Sequence, residues 1–239
     1  MPNTLSPDQI FTLMKKRNFR RKLINMIICS IIVFLGVTAT IYKVRYEGGF
    51  ITCFREMTVC ATVLTSLTSA AMIILNIFEM KLGSEVTYKT LYFWRLSSAV
   101  TGFIVLMIVL LGYLPFFSDH PVIARYDMIN MHVIIPLLTI GTFLFNDSPI
   151  GAVRPLERWN GLWIITVYTV FIMTLILTYI VPESKIPYSF LNVRHQPFWF
   201  VALAAIVIYG VGYLLSWLFY YLNLKLSWLW YRHITEKQQ

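Results

Sequence analysis

Six apolar runs, each near the length needed to cross a bilayer, constrain this 239-residue chain more than any motif in it. Reading along the chain, the pattern predicts spans over Ile24–Tyr42, Phe50–Phe78, Leu96–Pro115, Met128–Phe145, Gly161–Val181 and Phe198–Leu222. About 20 apolar residues suffice for a helix to cross the hydrocarbon core. Lipid offers no partner to an open backbone N–H or C=O, so such runs are expected as helices. The expected fold is therefore all-α, a polytopic membrane bundle of six transmembrane helices. Composition agrees: only 13% of residues are charged, against about 25% in an ordinary soluble domain. The expected organisation is a basic segment over 1–22, a membrane domain over 23–224 and a tail over 225–239, with no repeat or interdomain linker.

Charge gives the orientation. Six spans put both termini on one side, and fourteen of the 20 lysines and arginines fall there, including Lys15, Lys16, Arg17, Arg20, Arg21 and Lys22. On the positive-inside rule both termini are cytoplasmic. Arg95, Arg154 and Arg158 are counted in connecting segments on that side. The net charge of +9 is distributed around apolar runs and not along one face, which fits anionic lipid and gives no reason to invoke nucleic acid. The expected location is integral and multi-pass, in the plasma membrane if the source is bacterial. Ser6-Pro7-Asp8 reads as a helix start, with Ile10, Phe11, Leu13 and Met14 lying on the membrane surface before an uncleaved signal anchor. Trp228, Trp230 and Tyr231 suit the headgroup level. The loop PESKIPYSFLNVRHQPFW is expected to fold back over the outer mouth.

Two spans carry residues that lipid does not tolerate cheaply. In MINMHVIIPLLTIGTFLFND, His132 precedes Pro136 by four residues, so the proline frees the His132 carbonyl. Ionisable groups inside a span mark function by default. In the second span Arg55, Thr58, Thr62, Thr65, Ser69 and Asn76 recur at helical spacing, with Thr52 and Glu56 beside them. Thr58 through Ser69 read first as packing hydroxyls between helices. Arg55 and Glu56 should face a wet cavity, the bundle or the headgroups. Both spans run from outside to inside, which puts Thr52 and His132 at similar depth near the outer surface. A threonine hydroxyl becomes a nucleophile when a base takes its proton, and histidine is the usual base. Such a pair performs acyl transfer on an ester, given an oxyanion donor; Arg55 and Asn130 are candidates by depth. A packing role for both residues stands beside this reading.

These same stretches resemble a known family. MHVIIPLLTIGTFLFND is similar to the His-x-x-x-Pro-Leu-Leu segment of six-helix membrane proteins of the androgen-induced family and its bacterial relatives. GGFITCFREMTV resembles that family's outer-end threonine segment, and IPYSFLNV its Tyr-Pro-Tyr-x-Phe-Leu loop, which adds Tyr188 as a substrate-binding or oxyanion candidate. The resemblance extends over spans two to six. It implies a threonine hydrolase of fatty acid esters of hydroxy fatty acids, with Thr52 as nucleophile, His132 as base, a lipid ester as substrate, membrane lipid as surroundings and no cofactor. The chain departs from the bacterial pattern in carrying Arg55 and Glu56 where asparagine-rich sequence is common.

Two other classes compete. A lipid or small-molecule transporter or sensor would use the same polar cavity without chemistry, and an acyltransferase would use Cys53 with His132. The three cysteines, Cys29, Cys53 and Cys60, lie in apolar segments without a CxxC pair, which argues against disulfides, zinc and redox roles. Asp119, His120 and His195 lack ligand spacing, so no metal is expected.

Overall fold

A computed structural model describes residues 7–82, 89–113, 125–148, 154–183, 186–188 and 191–236, with side chains excepted at 7–18, 50, 51, 112, 113 and 230–236. The described residues are helical with connecting turns, and no strand occurs among them. Helix α1 covers Pro7–Glu47, α2 Phe50–Phe54, α3 Met57–Leu82 and α4 Lys89–Met107, which continues as a π-helical stretch over Ile108–Tyr113. Then come α5 (Tyr126–Ile129), a π-helical turn over Asn130–Ile134 and α6 (Ile135–Phe145). A 3-10 stretch, Pro155–Leu162, leads into α7 (Trp163–Leu177), and α8 covers Phe198–Glu236. Six stretches are long and apolar enough to cross a membrane: Phe19–Glu47, Met57–Leu82, Lys89–Leu111, Tyr126–Phe145, Pro155–Leu177 and Phe198–Leu229. These are the first to sixth spans, and the chain is an all-helical six-span bundle. The membrane-surface residues expected at Ile10–Met14, the rings of Trp230 and Tyr231, and Asp119 with His120 lie outside the described side chains and residues; the ring of Trp228 is exposed.

Three expectations change. The second span is not one helix from Phe50: a turn at Arg55 and Glu56 separates α2 from α3. Gly48, at φ 74°, ends α1 in the left-handed conformation that glycine adopts without strain, and α2 then turns the chain back. Arg55 therefore does not continue the helical stripe of Thr58, Thr62, Thr65, Ser69 and Asn76, all of which are buried in α3. Arg95 is not in a connecting segment but inside α4 with no exposed surface. Arg158 likewise belongs to the fifth span, in its 3-10 start.

Packing follows the small residues. The first and second spans lie close because Gly36 faces Ser66, where a Cβ on the glycine would come within 2.0 Å of Oγ. Gly102 does the same for the third and fourth spans: a Cβ there would lie 3.3 Å from the Pro136 Cα. Without a hydrophobic drive between helices in lipid, such close approach supplies dispersion contact. The buried hydroxyls act as the packing reading of the sequence expects. Thr68 and Ser98 meet at 3.2 Å between the second and third spans, and Ser66 bonds back to the Thr62 carbonyl at 2.8 Å.

At the end of the bundle that carries both termini, Arg95 ties five spans together. Its Nε donates to Asp147 Oδ2 at 2.8 Å, Nη1 to Ser69 Oγ at 3.1 Å and Nη2 to Thr142 Oγ1 at 2.7 Å. Asn25 Nδ2 donates to the other carboxylate oxygen at 2.9 Å. Asn223 Nδ2 reaches the carbonyls of Phe143 and Asp147 at 2.8 and 3.1 Å. Asp147 is aimed inward because its amide and that of Asn146 both return to the Thr142 carbonyl. A charge so buried is tolerated only with this degree of pairing, and removing one partner of such a pair typically costs about 3–5 kcal/mol.

Candidate functional site

The opposite end of the bundle holds a cavity of about 490 Å³. Its walls come from the ends of four spans and from the loop before the sixth. The first span contributes Lys43 and Glu47, and the α2–α3 turn contributes Arg55 and Glu56. Met57 and Thr58 open α3, and Val105, Ile108 and Val109 close the third span. Arg125, Met128 and His132 begin the fourth span, and Ile186, Pro187 and Tyr188 come from the loop before the sixth. The third span thus lines the cavity with apolar side chains, while the first span, the α2–α3 turn and Arg125 bring charges to it.

The backbone explains the position of His132. The fourth span runs through a π-helical turn, in which the Ile135 amide bonds the Asn130 carbonyl five residues back. Pro136 then opens α6, where a missing N–H costs nothing. Widened turns of this type displace the register of one helix by a residue and are frequent at functional sites. Imidazole Nδ1 lies 3.0 Å from the Met128 carbonyl. A carbonyl only accepts, so Nδ1 carries the proton and Nε2 is left as an acceptor.

The charges in the lining are paired with one another or with Asp127. Lys43 Nζ sits between Glu47, at 2.9 Å, and Glu56, at 3.1 Å, joining the end of α1 to the α2–α3 turn. Arg55 lies 4.0 Å from Glu47, and its carbonyl accepts from Tyr168 Oη at 2.8 Å. Arg125 forks onto Asp127 at 3.0 and 2.6 Å and covers the Tyr46 ring at 3.7 Å; the Asp127 carboxylate holds its guanidinium above the ordinary value. Tyr188 is pushed up to about 12 by burial, while the Met57 amide bonds its phenol oxygen, so it is a neutral donor at any working pH. The loop before the sixth span is anchored where Leu191 and Val193 pack on the cluster of Tyr168, Ile172 and Ile176. Beside it His195 pairs with Glu183, whose carboxyl is held below its usual range by that bond.

Of the residues singled out in the sequence, His132, Arg55, Glu56 and Tyr188 line this one cavity. Thr52 does not line it; it is half-buried on the short α2. Asn130 is buried and donates to the Tyr126 carbonyl at 2.7 Å instead. Cys53 is fully buried on α2 and also absent from the wall; burial pushes its thiol up, away from the reactive thiolate. Thr58, read from sequence as a packing hydroxyl, shares the cavity wall with His132. Its stripe pointed inward, but only the helix break just before it shows that it heads the stripe at the cavity. Lys43 and Glu47 were also missed, because they follow the last apolar residue of the first run and read as a loop.

Comparison with protein-family models, curated proteins and solved structures found no match.

Proposed function

We propose that the chain is an integral membrane hydrolase of fatty acyl esters, with His132 as general base and a threonine as nucleophile. The observation that carries this reading is the His132 imidazole, fixed through Nδ1 by the Met128 carbonyl in a cavity with an apolar wall for an acyl chain. Thr52 was the threonine indicated by the sequence. The shared wall with His132 favours Thr58 for the role. In the reaction, His132 Nε2 takes the threonine proton as its oxygen bonds the ester carbonyl carbon. The oxyanion is stabilised by Arg55 or the Tyr188 phenol. Its collapse expels the alcohol, which takes the proton from His132. Water, activated by the same imidazole, then releases the carboxylic acid and restores the threonine. With both termini cytoplasmic by the charge bias, the cavity opens at the outer leaflet.

The test uses purified full-length protein in detergent, a panel of lipid esters and a fluorophosphonate probe. His132→Ala should lower turnover by about 10²- to 10⁴-fold, the range of a general base, with unfolding unchanged. Thr58→Ala and Thr52→Ala separate the two hydroxyls. Wild-type protein that neither labels nor turns over any ester removes the hydrolase and leaves transport or sensing by the same cavity.

A further inference from the structure

The cavity that holds His132 is rich in charge and yet balanced. Lys43, Arg55 and Arg125 bring three positive charges to its lining, and Glu47 and Glu56 bring two negative ones. The third carboxylate is that of Asp127, 1% exposed, which accepts both arms of Arg125. Every one of these cations is engaged: Lys43 with Glu47 and Glu56 at 2.9 and 3.1 Å, Arg55 with Glu47 at 4.0 Å and Arg125 with Asp127 at 2.6 Å. Among the described residues, the lining and its direct partners thus sum to zero, and neutral His132 adds only an acceptor at Nε2. A ligand carboxylate entering here loses its water and gains no unclaimed counter-ion. Beside Lys43 it meets two glutamates as well, and at Arg125 it has to displace Asp127. Burying a charge without a partner of its own is costly.

Uncharged hydroxyls meet no such obstacle. An ionised carboxylate has about four lone-pair positions, more than the shared lysine can fill on Glu47 and Glu56, which stay 18% and 29% exposed. A polyol can donate to these oxygens without disturbing the ion pairs. Size limits the rest of the ligand. A cavity of about 490 Å³ falls within the roughly 300–1,000 Å³ of sites for single small ligands, which suits one acyl chain against Val105, Ile108 and Val109 with a small head. We propose that the ester cleaved here has an uncharged, hydroxyl-bearing alcohol part of about glycerol's size, and that an alcohol part carrying a carboxylate is selected against. This rests on the hydrolase reading, and it departs from the family resemblance, which implies a hydroxy fatty acid as the alcohol part.

Three esters of one acyl chain test this on the full-length protein in a nonionic detergent: a fatty acyl ester of a hydroxy fatty acid, the same ester with its carboxylate methylated, and a monoacylglycerol. Methylation should raise kcat/KM about tenfold or more, the scale of one hydrogen bond to a charged group, and the monoacylglycerol should match or exceed the methylated ester. Glu56→Gln leaves the cavity with one positive charge in excess and should shrink the preference for the methylated ester toward parity. That ratio is internal to each variant, so a general loss of folding does not move it. A free acid cleaved as well as its methyl ester, a monoacylglycerol cleaved more slowly than the methyl ester, or a ratio unchanged in Glu56→Gln overturns the proposal. If no ester is turned over, the hydrolase reading fails on its own. Thermal unfolding with an alkylglycerol ether and with a fatty acid of equal chain then decides the selectivity: a saturable rise with the ether alone supports it, and equal or absent responses overturn it.

Discussion

The two ends of this bundle use the same residue types to opposite effect. At the terminus-bearing end Arg95 and Asp147 are 0% and 3% exposed, and each polar atom of the guanidinium has a protein acceptor. At the other end Arg55, Glu56 and Arg125 border a cavity of about 490 Å³, with Glu56 still 29% exposed in its pair with Lys43. The first arrangement spends its charges on holding five spans together. The second pairs its charges along the border of an open cavity, beside an imidazole whose Nε2 remains an acceptor. Whether a polar cluster in a membrane bundle braces or acts is decided by how completely its members satisfy one another, not by which residues it contains.

That contrast can be broken at either end. The largest effect is expected on chemistry: Thr58→Ala should reduce ester turnover by about 10³-fold or more, as loss of a nucleophile does, with little change in the unfolding midpoint. Turnover should also decline on acidification, because protonated His132 accepts nothing. Next in size, Asp147→Ala should destabilise the bundle by about 3–5 kcal/mol by stranding Arg95. Adding Arg95→Met should recover part of that loss, which thermal unfolding of the single and double variants would measure. Gly102→Ala comes third: its Cβ meets the Pro136 backbone at 3.3 Å, and overpacking of this order costs about 1–3 kcal/mol. Because Pro136 is four residues from His132, its turnover should fall with stability. Smallest is Lys43→Met. It leaves Glu47 and Glu56, 18% and 29% exposed, without the buried lysine they share, and because water still reaches both carboxylates the midpoint should fall by less than in Asp147→Ala, where Arg95 is stranded without solvent.

Sequence patterning carried the architecture because hydrophobic run length is a local property. All six spans appear, although their helices extend beyond the apolar runs; the first, for example, continues from Tyr42 to Glu47. Polar residues inside the spans were harder. Arg95 precedes Leu96, where the apolar run begins, so a hydropathy boundary placed it outside; only its partners Ser69, Thr142 and Asp147 on the second and fourth spans explain its burial. The cavity was half legible. His132 stands out as an ionisable residue in a span, and Arg55 and Glu56 follow from the same argument. Thr58 was masked by the five other buried hydroxyls on its helix, and Thr52 was singled out by depth and by the family resemblance, neither of which registers the turn that separates α2 from α3.

Mass mapping of the fluorophosphonate adduct on purified full-length protein tests the open cavity most directly. The account expects the adduct on the peptide containing Thr58, absent from Thr58→Ala and from His132→Ala, and retained in Thr52→Ala. An adduct elsewhere, or one that survives loss of His132, would contradict it.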